Sequence, residues 1–194
     1  MSRKILVLDG HPAAETLNGA LAATYGEGAR ASGHEVRIHH LSAMRFNPDL
    51  GIASYRNVPD LEPDLAAFFE DLLWCEHFVI THPMWWGGMP AKLKGLIDRV
   101  FLPGKTFQYQ EGRPLPLGLM SGRSARVIMT SDTPNFFLDW IYGNGIGKQT
   151  SRQILKFCGF KPARFTRFAP VRKSSDARRA GYLAKVRALG AKGA

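Results

Sequence analysis

Several signatures are missing from this chain of 194 residues. It has two cysteines, Cys75 and Cys158, far apart and in no CxxC or zinc spacing. That pattern excludes a disulfide framework and a dithiol redox centre, and the two thiols are expected reduced, in or near the core. No GxSxG or HExxH occurs, so neither an esterase-type serine nor a zincin helix is present. The loop after the first strand, Asp9 to Asn18, lacks the GxGxxG of the dinucleotide fingerprint and the GK[ST] of a P-loop, so those readings fail there. No apolar run approaches the roughly 18 residues that a membrane span needs. The first residues, MSRKILVLDG, enter a strand pattern at once and lack the long apolar core and cleavage site of a signal peptide, so the cytoplasm is the expected compartment. All 6 histidines lie at or before His82. Two pairs, His39-His40 and His77/His82, have some character of metal ligands, but strand-edge and loop positions explain them more simply.

Acidic residues are scarce in the second half. Residues 1–100 hold 9 Lys and Arg against 12 Asp and Glu, whereas residues 101–194 hold 17 against 4. A basic half can attract nucleic acid, a membrane surface or a small anion. Without an RGG tract, a zinc finger or basic-aromatic interleaving, a solvated basic helical face comes ahead of specific nucleic-acid binding.

What is present is alternation. Lys4–Leu8 (KILVL) reads as a first strand, and Leu17, Ala20, Leu21 and Tyr25 mark a helix ended by Gly33. Val36 and Ile38 lie in a second strand. Leu41 to Asp60 is a long loop, and Leu61, Leu65, Phe68, Phe69, Leu72 and Leu73 form the next helix face. Phe78–Ile80 is a buried third strand. Pro83 and Gly87-Gly88 interrupt it, and Pro90 opens a helix whose apolar face is Leu93, Leu96, Ile97, Val100 and Phe101. Leu102 to Ser124 is a long connection. Ala125–Thr130 is strand four, a helix runs from about Gly147 to Phe157, Ala163–Phe168 is strand five, and Ser174 or Ser175 caps a last helix. With 45% hydrophobic and 22% charged residues and no linker or repeat, the expected organisation is one globular domain over 1–194. The fold class is α/β: a doubly wound parallel sheet of five strands in the order 2-1-3-4-5.

In that order the loops after strands one, three and four (Asp9 to Asn18, His82 to Met89, Ser131 to Phe137) converge at the switch point. The first ends at a helix N-terminus where Thr16 and Asn18 stand beside free backbone N–H groups, a natural phosphate site. His11 can join it or serve only as a turn residue before Pro12. Adjacent side chains diverge, so one of Trp85 and Trp86 can belong to the core while the other walls a flat ligand. Thr130, Ser131, Asp132 and Thr133 offer hydroxyls and backbone donors to a polar ring edge, or simply cap the turn. No acid–base constellation stands out, so a bound cofactor is the better carrier of chemistry.

Pro83-Met84-Trp85-Trp86, then Met89-Pro90-Ala91-Lys92-Leu93-Lys94-Gly95 and Asp98-Arg99-Val100-Phe101, closely resemble the flavodoxin-like NAD(P)H:quinone oxidoreductases. So do Gly10-His11-Pro12 with Asn18, Met44-x-Phe46-Asn47-Pro48, Phe107-x-Tyr109 and Phe157-Cys158-Gly159-Phe160, in the same order. The resemblance implies a homodimer that uses FMN, with FAD as the alternative, to pass hydride from NAD(P)H to a quinone or similar acceptor by a ping-pong mechanism. A flavoprotein electron carrier or regulatory subunit of a transport system is the alternative reading. It implies that His11, Thr16, Leu17 and Asn18 hold the flavin phosphate region. Pro83, Met84, Trp85, Trp86 and Gly87 would flank the ring, and Thr130, Ser131, Asp132 and Thr133 would line its polar edge. The mammalian quinone reductases have Thr-Thr-Gly-Gly after strand four, then a tyrosine and a histidine that assist charge on the reduced flavin. Here the loop reads Thr130-Ser131-Asp132-Thr133-Pro134 and no histidine follows, so Tyr142 and Asn144 become the candidates for that place.

Overall fold

The computed structural model describes residues 2–194. Its principal sheet is built from β1 (Lys4–Asp9), β2 (Glu35–His40), β3 (His77–Pro83), β6 (Ser124–Thr130) and β7 (Ala163–Phe168), all parallel, in the order β2-β1-β3-β6-β7. This is the doubly wound 2-1-3-4-5 order expected above. β1 and β3 lie beside each other in register, Leu6 facing Phe78 and Leu8 facing Ile80. These strands are apolar without a break because helices cover both faces.

On one face Leu6, Leu8, Phe78, Ile80 and Val127 pack against α2 (Pro63–Trp74) and α3 (Ala91–Val100). On the other, Ile5, Val7, Val79 and Ile128 pack against α1 (Leu17–Ala31) and α5 (Asp176–Ala191). The two helices of that second layer touch closely. A Cβ at Gly28 would collide with the Arg187 carbonyl, and one at Gly190 with the Tyr25 carbonyl. Glycine is there for close approach of two backbones.

Several boundaries differ from the sequence reading. α2 begins at Pro63, so Leu61 packs against the core from outside the helix. The connection from Leu102 to Ser124 contains a small antiparallel hairpin, β4 (Phe107–Gln108) with β5 (Leu117–Gly118). The expected helix from Gly147 to Phe157 is a short α4 (Gly145–Lys148) that widens into π-type turns over Gln149–Lys156. A further π-type turn, Phe137–Ile141, was not anticipated. Its Asp139 receives both guanidinium nitrogens of Arg167 from β7 at 2.7 Å.

Arg99, on α3 and almost fully buried, clasps the long loop before α2. Its Nη1 donates to the Asn47 carbonyl (2.7 Å), and its Nη2 to the Asp60 carbonyl (3.0 Å) and to Glu62 Oε2 (2.8 Å). Breaking such a pair from the buried side leaves unpartnered polar groups. Arg99→Ala is therefore expected to cost about 3 kcal/mol in chemical denaturation. The hydrogen bonds from Arg99 hold the Glu62 carboxyl down to about 2, below its ordinary 4.5. The folded value is below the unfolded one, so this stabilisation is complete above about pH 4.5 and is lost as pH falls through about 2. Glu62 is partly solvated, so Glu62→Gln should cost only about 1 kcal/mol at pH 7. That deficit should vanish in denaturation curves measured near pH 2.

Candidate functional site

The site forms where β1, β3 and β6 end. The loop after β1 turns at Gly10, whose N–H reaches the Thr81 carbonyl of β3 at 2.7 Å. It then enters α1 with Thr16 as N-cap, its hydroxyl accepting from Gly19 N at 3.1 Å. Asn18, in the first turn, is buried. Its Nδ2 donates to Thr130 Oγ1 of β6 at 3.0 Å, and its carbonyl accepts from the Thr81 hydroxyl at 3.0 Å. One residue thus ties the ends of β3 and β6 to the helix that β1 feeds.

After β3 the chain makes a two-residue hairpin. Trp85 and Gly88 exchange two backbone hydrogen bonds of 2.9 Å each. Between them Trp86 and Gly87 both have positive φ, 51° and 74°. This is the geometry of a type I′ turn, which favours Asn-Gly. A bulky aromatic in that position is strained, and such strain is tolerated where the side chain has a task. The sequence reading allowed one of the two tryptophans to be core. The structure corrects this: Trp85 is 46% exposed and Trp86 is fully exposed, because the turn lifts both off the sheet.

After β6, Ser131 N–H donates to the Phe168 carbonyl of β7 at 3.0 Å, and Thr133 N–H donates to Ser131 Oγ at 2.9 Å. The segment after β7 folds back over this loop. Val171 N–H reaches the Ser131 carbonyl at 3.1 Å, and Arg172 N–H reaches Asp132 Oδ1 at 2.6 Å.

Two adjoining cavities result. One, of about 270 Å³, is lined by His11, Thr16, Leu17, Asn18, Pro83, Trp85, Thr130 and Arg172. The other, of about 520 Å³, is lined by Trp86, Gly87, Thr133, Leu138, Tyr142 and Ile146. Met84, Ser131 and Asp132 line both, at their junction. Beneath the larger cavity Met129, Leu138 and Ile146 form a small apolar cluster that Met84 joins. The smaller cavity therefore offers hydroxyl, imidazole and guanidinium groups at a helix N-terminus, and the larger offers aromatic and aliphatic walls.

His11 sits edge-on to Trp85, ring centroids 5.5 Å apart, and its Nδ1 lies 3.0 Å from Ala13 N, which leaves Nε2 free. Tyr142 lines the larger cavity and is exposed. Asn144 does not line it. It starts α4 in a left-handed conformation (φ 53°), and its side chain lies against Gly147 with a buried Oδ1 that has no partner. The remaining histidines stand apart: His34 accepts from the Arg3 N–H, His39 bonds Asp71, His40 bonds Asp9, and His77 and His82 are buried. Burial holds His77 down to about 3 and His82 to about 4, so both are neutral. No group of three metal-ligating side chains occurs among the described residues. Burial likewise pushes the Cys75 thiol up to about 12, so it supplies no thiolate.

Arg172, Val171, Leu138 and Ile146 were not anticipated. The sequence reading counted three loops, and the segment after strand five is a fourth. The only signal was the crowding of cations that follows β7.

The sequence profile described as the flavodoxin-like fold matches residues 3–189. The chain belongs to the flavodoxin-like fold family. Among curated members, a ribosyldihydronicotinamide dehydrogenase-like protein of Penicillium crustosum is 29% identical over 151 residues, which cover 66% of this chain and 57% of that protein. An FMN-dependent NADH:quinone oxidoreductase of Ruegeria pomeroyi is 24% identical, covering 94% of this chain and 95% of the relative. Among solved structures, Smu.1420 of Streptococcus mutans superposes with a TM-score of 0.80 at 29% identity, covering 97% of this flavodoxin-like chain and 98% of the neighbour.

The strained Trp86 turn yields a direct test. Trp86→Asn restores the preferred I′ dipeptide and should stabilise the ligand-free protein by about 0.5–1 kcal/mol. Thermal unfolding should show a midpoint about 2 °C higher.

Proposed function

We propose that this protein is an oxidoreductase that uses FMN to pass hydride from NAD(P)H to a quinone or similar acceptor. The observation that carries this reading is the joining of the two cavities. A phosphate-type pocket at the N-terminus of α1 shares Met84, Ser131 and Asp132 with an aromatic-walled chamber, and the chamber's volume of about 520 Å³ falls in the range of about 300–1,000 Å³ typical of small-molecule sites. The donor set suits a phosphorylated tricyclic cofactor. Arg172, the Thr16 hydroxyl and the first N–H groups of α1 favour a phosphate. Trp86 and Met84 can wall a flat ring, and the Ser131–Thr133 loop supplies polar groups for its edge. Relatives whose names specify FMN and NADH:quinone chemistry support the same reading.

The residues then have separable roles. His11 and Arg172 complement negative charge at the phosphate end. Asn18 fixes the floor by joining α1 to β6. Leu138 and Ile146 give the larger cavity a dry inner wall, which strengthens polar interactions beside it. Tyr142, at the cavity wall, can donate a hydrogen bond to an acceptor. When bound, the flavin supplies the two-electron chemistry that no side chain here offers. Donor and acceptor use one chamber in turn, which gives a ping-pong sequence. Trp86 and Tyr142 at the larger cavity are exposed, and so are Phe136, Trp140 and Ile141 in the segment that leads to Tyr142, an apolar run of the kind that marks interaction sites. We assign it to a second copy of the chain.

Purified protein should take up FMN, turn yellow, bleach with NADH or NADPH without oxygen, and recover colour on addition of a quinone. Protein that binds neither FMN nor FAD would end the proposal. Arg172→Ala should weaken FMN about tenfold, as expected for one charge-assisted contact of about 1.5 kcal/mol. Initial rates should give parallel double-reciprocal lines, whereas intersecting lines would remove the ping-pong step. Turnover that is slow with every acceptor would favour the electron-carrier reading.

A further inference from the structure

One ionisable group stands at the junction of the two cavities. Asp132 lines both, and it is the single carboxylate lining either. Its surroundings do little to neutralise it. Oδ1 accepts the backbone N–H of Arg172 at 2.6 Å, but the Arg172 side chain forms no ion pair with it or with any other acidic group among the described residues. The only other charged or titratable groups lining these cavities are His11 and Arg172 on the smaller side and Tyr142 on the larger. The loop itself is well fixed without the carboxylate, through Ser131 N–H to Phe168, Thr133 N–H to Ser131 Oγ and Met84 N–H to the Thr130 carbonyl. The negative charge is thus placed where both halves of the ligand must pass, with one backbone hydrogen bond to hold it.

We propose that Asp132 sets the reduction potential of the bound cofactor, lowering it so that electrons move on readily to the acceptor. This rests on the flavin reading above. Hydride from NAD(P)H brings two electrons and one proton and leaves as product the oxidised nicotinamide. The site must therefore take up one net negative charge, unless a further proton enters from water. A fixed carboxylate at the cavity junction repels that charge. It weakens the hold on the reduced form more than on the uncharged oxidised ring, and a cofactor held less tightly when reduced has a lower potential. The effect is electrostatic and falls with distance and screening, so it is sensitive to salt.

The test compares the FMN-loaded wild type with Asp132→Asn and Asp132→Glu. Asn keeps the Oδ1 acceptor for Arg172 N–H and removes only the charge, and Glu keeps the charge. Fluorescence titration should show oxidised FMN bound by Asp132→Asn about as tightly as by wild type. Its midpoint potential at low salt should be more positive by the equivalent of about a tenfold change in reduced-to-oxidised affinity ratio, about 30 mV for a two-electron couple. Asp132→Glu should stay close to wild type. The difference should shrink at about 1 M salt, where the screening length falls to about 3 Å. Equal potentials for wild type and Asp132→Asn, both loaded, would overturn the proposal while leaving the flavin reading intact. Loss of FMN binding in Asp132→Asn would also overturn it, by showing that the residue acts as a structural cap. If wild type takes up no flavin, the functional reading falls and this inference with it.

Discussion

A single buried amide ties together the carboxyl ends of the central strands. Asn18 bonds the hydroxyl of Thr130 through its side chain and the hydroxyl of Thr81 through its carbonyl. These contacts connect the first turn of α1 to the ends of β3 and β6, the strands that flank the switch point. Buried polar groups of this kind are costly when unpaired and specific when satisfied. With Asn18 in place, the loops after β1, β3 and β6 can only converge. Without it the parallel sheet would still form, because its stability comes from apolar faces buried under four helices, but the loops would be joined to the neighbouring strands by backbone contacts alone, such as Gly10 N–H to the Thr81 carbonyl and Met84 N–H to the Thr130 carbonyl.

That division explains what could be read from the residues alone. The strands declare themselves because a parallel sheet covered on both faces needs unbroken apolar runs, such as KILVL and ARVIMT. The order follows from the alternation of strands and helices and from their number. The three convergent loops follow from the order. Trp85 and Trp86 were harder: adjacency suggested that one would face inward, and the turn geometry that lifts both depends on backbone angles no composition reveals. The π-type turns over Phe137–Ile141 and Gln149–Lys156 were also hidden, since their periodicity is close to helical. Arg172 was missed because its place depends on Val171 and Arg172 donating to the Ser131–Asp132 loop, a long-range backbone pairing. Asn144 looked like a polar neighbour of the ring, yet its side chain lies against Gly147 and lines neither cavity.

The site is divided by charge as well as by shape. The guanidinium of Arg172 and the N-terminus of α1 favour negative charge at one end, whereas Asp132 disfavours it at the junction. An anion can therefore be anchored in the small cavity while the larger one remains inhospitable to further negative charge. The apolar cluster of Met129, Leu138 and Ile146 beneath the larger cavity strengthens this contrast, because charges interact more strongly where water is excluded.

The position of the indoles has one more consequence. The chain has 4 tryptophans. Trp85 and Trp86 lie in the turn at the cavities and Trp140 lies, largely solvated, between two residues that line the larger one. Only Trp74 sits elsewhere, on α2, beneath the guanidinium of Arg37 at 4.0 Å. Intrinsic emission therefore comes mostly from the mouth of the site and is red-shifted by solvent, so the molecule carries its own optical gauge of whatever covers that mouth.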